Sequence, residues 1–271
     1  MNSFELKEKL DKVFYLTFNI ISDLVFFFKF SLKKELKNNL KYKELHENER
    51  CFILATGPSL SNLNDTEIEA LTKEVTFGVN SFYKVKQTNK IVPKYYFLLD
   101  NLYWEEWSYT FKEIEMRYTS NCPIFITDFR AKPFVNKKIN EMNDIFLYMK
   151  KYPVNYISSD LDKNMFIGMN VVATAILSAI YFGYKEIYLV GTDYSAFCNN
   201  GRGHAYDDKD ELSKVDYNLA FYLKFYWIGT EFHYLIYKFA NENGVQIVNL
   251  STNSLLDAYP KANISDILKM P

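Results

Sequence analysis

Three histidines, His46, His204 and His233, are the only imidazoles in the chain. An imidazole titrates near neutral pH, so a hydroxyl that must shed its proton during an attack would be served by one of them. His204 lies in a polar, glycine-flanked stretch, Asn199-Asn200-Gly201-Arg202-Gly203-His204-Ala205-Tyr206, where burial alone gives no reason for an imidazole. It is the expected base. His233 stands between Phe232 and Tyr234 in an aromatic segment of helical spacing. A hydrogen-bonded core histidine is the stronger reading there. His46 precedes the apolar part of the chain and is expected in solvent. Arg202 reads either as a charge for a phosphate or sugar carboxylate or as an exposed loop arginine. Cys51, Cys122 and Cys198 are far apart with no C-x-x-C pair, which excludes a zinc ribbon or a disulfide framework and fits a reducing compartment. Asp160-Leu161-Asp162 and Asp208-Lys209-Asp210 have a spacing that can hold a divalent cation. The first follows no strand and the second sits in a lysine-containing loop, so solvated carboxylates and no required metal are expected.

The other polar candidates gain meaning from the elements that place them. Cys51-Phe52-Ile53-Leu54-Ala55 followed by Thr56-Gly57-Pro58-Ser59-Leu60 reads as a buried strand entering a turn, the first β-to-α crossing of a parallel sheet. Asn64-Asp65 caps a helix to about Lys73, with Glu67 and Glu69 in its first turn. Residues 75–79 and 95–99 are predicted strands ending at Asn80 and Asp100, and 123–127 a fourth. Between Thr110 and Tyr156 the periodicity is poor. Residues 171–182 form an apolar helix closed by Gly183, and 185–190 a strand stopping at Gly191-Thr192-Asp193. The polar stretch 193–213 is predicted to be a mobile lid. Residues 221–243 read as a helix ended by Gly244, and 245–250 as a final strand. This alternation predicts an α/β domain with a doubly wound, mostly parallel, Rossmann-like sheet over 49–271, behind an N-terminal helical extension over 1–48.

Ligands of open parallel sheets bind beyond the carboxyl ends of the strands. That rule gathers Thr56, Gly57, Ser59, Asn80, Asp100, Asp193, Tyr194 and Asn253 on one edge. Gly57 can bring backbone N–H groups close to a phosphate or ribose, and Ser59 adds a hydroxyl at the following helix N-terminus. No Walker loop and no G-x-G-x-x-G fingerprint is present. Taken singly, Gly57-Pro58, Asn80 and Asp100 are ordinary turn formers.

The chain has 271 residues, 48% hydrophobic and 24% charged, which excludes global disorder. A net charge of −1 argues against a dedicated nucleic-acid binder. Residues 13–28 are apolar but interrupted by Asn19, Ser22 and Asp23, too short and too polar at the middle to span a bilayer. From Lys29 to Lys43 there are six lysines and one glutamate. An apolar aromatic run beside a lysine cluster suits a helix lying in an anionic interface. Docking on its own domain or on a partner subunit is the alternative.

Four blocks carry a resemblance: Ala55-Thr56-Gly57-Pro58-Ser59-Leu60, Gly78-Val79-Asn80-Ser81-Phe82-Tyr83, the stretch from Phe182 through Gly191-Thr192-Asp193-Tyr194, and Val248-Asn249-Leu250-Ser251-Thr252-Asn253-Ser254-Leu255-Leu256. They resemble bacterial sialyltransferases of glycosyltransferase family 42 and the wider DUF115 (MptE-like) group. The resemblance implies a GT-A-like variant of the sheet fold and inverting transfer of a sialic-acid-like (nonulosonic) sugar from a CMP donor, with no metal and no cofactor beyond that donor. The implied donor contacts are Thr56, Gly57 and Asn80, with Thr56 standing where the family has asparagine, Asp100 where it has another, and Asn170 near its donor-binding serine. The implied phosphate-holding tyrosines are Tyr194 and Tyr206. The family's base follows an Ile-Gly pair; here Ile228-Gly229 is followed by Thr230, with His233 one turn further on, while the wider group favours His204. The implied acceptor is a bacterial surface glycan. The resemblance does not cover residues 1–48, and the expectation that residues 1–45 hold the chain beside a lipid-linked acceptor at the cytoplasmic face of the membrane, as a monomer or homo-oligomer, rests on the apolar and lysine-rich pattern above. The same group includes a pterin diphosphokinase, which would need ATP and Mg²⁺. A non-catalytic glycan- or partner-binding module of the same fold is the third reading.

Overall fold

The computed structural model describes residues 2–135, 144–199, 203–209 and 217–269. Eight strands form one parallel sheet: β1 (Arg50–Leu54), β2 (Thr76–Val79), β3 (Tyr95–Leu98), β4 (Ile124–Asp128), β5 (Ile145–Lys151), β6 (Asn164–Phe166), β7 (Glu186–Val190) and β8 (Gln246–Asn249). Their order is β6-β5-β4-β3-β2-β1-β7-β8. Alternate residues of each strand enter opposite cores. Cys51, Ile53, Phe77, Tyr95 and Phe97 face the helices Val171–Phe182 and Leu219–Glu242. Phe52, Leu54, Tyr96, Leu98 and Phe125 face Asp65–Leu71 and Thr110–Arg117. Burial on both faces is why these strands read as unbroken apolar runs.

The helix Val171–Phe182 is apolar nearly all round because it lies between the sheet and the Leu219–Glu242 helix. Asn170 caps its start, and Gly183, at φ +98°, takes the left-handed conformation that ends it. The longer helix buries only Gly229, Phe232, His233, Ile236 and Ala240, a single stripe at three-to-four spacing. Asn64 and Glu67 form a reciprocal capping box on Asp65–Leu71.

Two features differ from expectation. The poorly periodic region holds β5, and the unforeseen β6 follows it; the neighbour of both is the polar side of the N-terminal helix Ser3–Phe27. Asn19 bonds both backbone groups of Tyr152, and Ser22 and Asp23 accept from Asn164. Strands covered by polar groups lack a clean apolar run. His46, expected in solvent, is buried: its ring stacks on Tyr184 at 4.7 Å and Nε2 lies 3.0 Å from the Tyr95 hydroxyl. Leu36, Asn39 and Tyr42 are buried as well, so the second half of the 1–48 extension packs into the sheet domain.

Candidate functional site

β1 passes to β2 on one side and pairs with β7 on the other, so the loops leaving β1 and β7 diverge. This switch point opens a crevice beyond the carboxyl ends of both strands. The turn after β1 lies against the turn after β7, with the Gly57 N–H donating to the Gly191 carbonyl at 2.8 Å. A β-carbon at 57 would overlap both that carbonyl and the Asp193 carboxylate. Ser59 donates to Asp193 Oδ2 from its backbone N–H at 3.1 Å and its hydroxyl at 2.8 Å. The donors expected to meet a phosphate are therefore engaged internally, Gly57 on a carbonyl and Ser59 on a carboxylate. Ser251 completes the cluster, with its Oγ 3.1 Å from Ser59 Oγ and 3.0 Å from the donating Thr192 N–H. A cavity of about 590 Å³ opens beside it, lined among others by Ser59, Asp193, Ser251, Asn253, Asn263 and Asp266.

At the carboxyl ends of the two strands that flank β1, one oxygen each is buried without a hydrogen-bond partner among the described residues, Asn80 Oδ1 after β2 and Thr192 Oγ1 after β7; Thr76 Oγ1, at the opposite end of β2, is another. Asn80 also has φ +48°, and Tyr194 and Met169, on the neighbouring turns, each have φ +57°. Left-handed backbone at non-glycine residues costs energy and collects where structure serves a ligand. The Asn80 carbonyl accepts from the Tyr96 hydroxyl at 2.8 Å.

The stretch after β7 folds back over the β1 turn, with the Ala205 N–H donating to the Thr56 carbonyl at 2.9 Å. That bond seats His204 beside the crevice. His204 Nδ1 lies 2.7 Å from Asp208 Oδ2, and the ring stacks on Tyr206 at 5.1 Å. Lys84 Nζ lies 5.9 Å from the Tyr206 ring centre. A carboxylate on Nδ1 fixes that nitrogen as the donor and leaves Nε2 with the basic lone pair.

A second constellation lies one layer deeper. Asn170 Oδ1 accepts the Ala173 N–H at 2.9 Å, and its amide nitrogen lies 2.9 Å from His233 Nε2. His233 Nδ1 lies 2.8 Å from the Tyr259 hydroxyl. Both ring nitrogens are engaged, the residue is fully buried, and burial pushes its pKa down to about 3. The edge of Tyr194 meets this imidazole, ring centres 5.7 Å apart, and its hydroxyl donates to the Tyr226 carbonyl at 3.3 Å. Burial raises the Tyr194 hydroxyl to about 12. Asp100 lies apart from these groups, exposed, capping a short turn through the Leu102 N–H at 3.0 Å. Asp160 pairs with Lys163, and Asp162 accepts from Tyr181. No group of three or more metal-ligating side chains occurs among the described residues. Arg202 and Asp210 lie outside them.

Sequence reasoning passed over Asp208 as the partner of His204, and Ser251 and Tyr259 altogether. Asp208 stands four residues after His204, a signal present in the chain; Tyr259 becomes visible only when helix and loop are packed together.

Residues 19–199 match the family model described as 6-hydroxymethylpterin diphosphokinase MptE-like. No curated protein matches the chain. Among solved structures it is similar to the sialyltransferase CstII from Campylobacter jejuni, determined with a substrate analogue, cytidine-5'-monophosphate. Identity there is 20% and the TM-score 0.47, over 80% of this chain and 86% of that one. It is also similar to the MAf glycosyltransferase from Magnetospirillum magneticum AMB-1, at 14% identity and TM-score 0.49, over 86% of this chain and 39% of that one.

Proposed function

The chain belongs to the 6-hydroxymethylpterin diphosphokinase MptE-like family, and from that premise we propose that it is an inverting, metal-independent glycosyltransferase using a CMP-linked, sialic-acid-like donor and a glycan acceptor. The observation that carries the reading is the pair of unpartnered oxygens, Asn80 Oδ1 and Thr192 Oγ1, flanking β1 at the switch point. Buried acceptors of this kind are costly unless a ligand donates to them, and ribose hydroxyls or a cytosine amino group would do so. The choice of CMP over another nucleotide rests on the sequence blocks that hold Gly57, Asn80 and Asp193.

In this reading the acceptor hydroxyl gives its proton to His204 Nε2, and Asp208 steadies the imidazolium that forms. The acceptor oxygen bonds to the anomeric carbon from the face opposite the donor phosphate. The bond from that carbon to the phosphate oxygen breaks, and CMP leaves with the electron pair, which inverts the anomeric centre. Tyr206, stacked on His204, donates to the departing phosphate, and Lys84 contributes positive charge beside it. Tyr194 and His233 shape the wall behind them.

The test is a thermal-shift and transfer assay with CMP, CMP-sugars and ATP, each with and without EDTA. Protection by CMP and transfer from a CMP-sugar should survive EDTA, and Asn80→Ala should lose most of the protection. ATP consumption that requires Mg²⁺, with no response to CMP, would replace this reading by a diphosphokinase. Absence of any nucleotide response would leave a binding module of the same fold.

A further inference from the structure

The N-terminal helix Ser3–Phe27 is built inside out. In its second half the polar residues face the protein, with Asn19 bonded to the Tyr152 backbone at 2.7 and 2.8 Å, and Ser22 and Asp23 to Asn164 at 3.0 and 2.9 Å. Most of its large apolar residues face away, Phe18 and Phe26 excepted, which meet Tyr152 and Tyr148. Leu10 is 61% exposed, Phe14 66%, Ile20 64%, Leu24 57% and, just past the helix end, Phe28 69%. At 3.6 residues per turn these positions, with Val13, Ile21 and Phe27, sweep an arc of roughly 140°. That is wider than the a/d seam of a two-stranded coiled coil.

Beyond Phe28 the path turns by 93°. The next helix, Phe30–Leu36, sends Leu32 and Leu36 into a small core with Tyr148, and Asn39 bonds the Phe146 and Leu161 carbonyls. The chain thus returns to its own sheet after the bend and does not continue away from it. Lys29, Lys34 and Lys37 are exposed, and Lys33 Nζ lies 4.9 Å from the Phe27 ring centre at the bend. The one acid among them, Glu35, is paired with Lys132 at 2.7 Å. Positive charge therefore borders the apolar arc at the bend, and the one acid of the stretch is already paired.

We propose that this face lies in the surface of an anionic lipid bilayer, the helix parallel to the plane, its apolar arc among the acyl chains and the lysines at the headgroup phosphates. Both the breadth of the arc and the one-sided charge favour lipid over a second copy, which would bring two lysine clusters together. The inference is independent of the transfer reaction.

The experiment is co-sedimentation of the full chain with phosphatidylcholine vesicles, with and without phosphatidylglycerol, at low and high salt. The native chain should bind the anionic vesicles and be released by salt. Phe14→Glu with Ile21→Glu should weaken binding about tenfold or more, since charges would enter the buried arc. Lys34→Glu with Lys37→Glu should weaken it by roughly fivefold or more per lysine removed. Both pairs of positions are solvent-facing or peripheral, and an unchanged melting curve verifies folding. Failure of the native chain to bind anionic vesicles overturns the proposal, as does unchanged binding by Phe14→Glu/Ile21→Glu. A lipid-free dimer in sedimentation velocity, abolished by that same variant while vesicle binding is absent, would assign the face to self-association.

Discussion

His204 and His233 carry the same ring in opposite settings. His233 receives the Asn170 amide on Nε2, faces the Tyr259 hydroxyl with Nδ1, and is held neutral to a pKa of about 3 by burial. In the unfolded chain a histidine takes up its proton near 6.5. The unfolded state therefore binds more protons between about 6.5 and about 3, and the folded chain loses stability as pH falls through that window, by up to roughly 1.4 kcal/mol per unit. His233→Ala should lower stability at pH 7 by about 1–3 kcal/mol, because two buried polar groups lose their partner. It should also flatten the decline toward pH 4, read by urea unfolding at both pH values; an unchanged acid slope would show that another group causes it. His204→Ala should instead cut transfer by roughly 10²–10⁴-fold with CMP affinity and melting temperature retained. If the activity loss follows His233→Ala at normal stability, the base has been assigned to the wrong ring. The sequence separates these two settings by flanking residues alone: Gly203 beside one, Phe232 and Tyr234 beside the other. What it does not show is that both nitrogens of His233 are engaged, since Tyr259 arrives from 26 residues away.

Among the elements, the clasp between the β1 and β7 turns is the most constrained. Gly57→Ala should destabilise the protein by about 1–3 kcal/mol, the usual cost of overpacking, because its methyl meets both Asp193 and the Gly191 carbonyl. Asp193→Ala in the same chain should return only part of that loss, since the carbonyl stays; a double-mutant cycle on unfolding free energies measures the share. Complete rescue would mean that the Gly191 backbone yields easily. The six strands buried on both faces are legible as apolar runs, as are the Asn64 cap and the Gly183 stop. β5 and β6 are not, because Asn164, Lys150 and Lys151 answer to the N-terminal helix and to the sheet edge instead of to a core. Asn19→Ala strips both backbone groups of Tyr152 of their partner. Limited proteolysis should then cut within 3–27 several times faster while the main melting transition hardly moves.

For the whole molecule, composition places a boundary near residue 48, whereas packing draws the chain into the sheet from about Phe30 onward. A chain starting at residue 29 should melt within a few degrees of the full one. A chain starting at residue 46 should melt far lower, because Leu36, Asn39 and Tyr42 leave the core. Equal melting of the two would show that these buried residues contribute nothing. The fold class is legible because β-α alternation is written locally; the union of extension and domain is not, because it is made by contacts such as His46 on Tyr184 and Asn19 on Tyr152. The second of those pairs is separated by 133 residues. At about 5–20 residues per second, a ribosome delivers Tyr152 roughly 7–27 s after Asn19. During that interval the helix has no sheet to clasp, and β7 and the His204 loop emerge later still. The outward apolar face is therefore made well before the β7 turn and the His204 loop that complete the crevice have been translated.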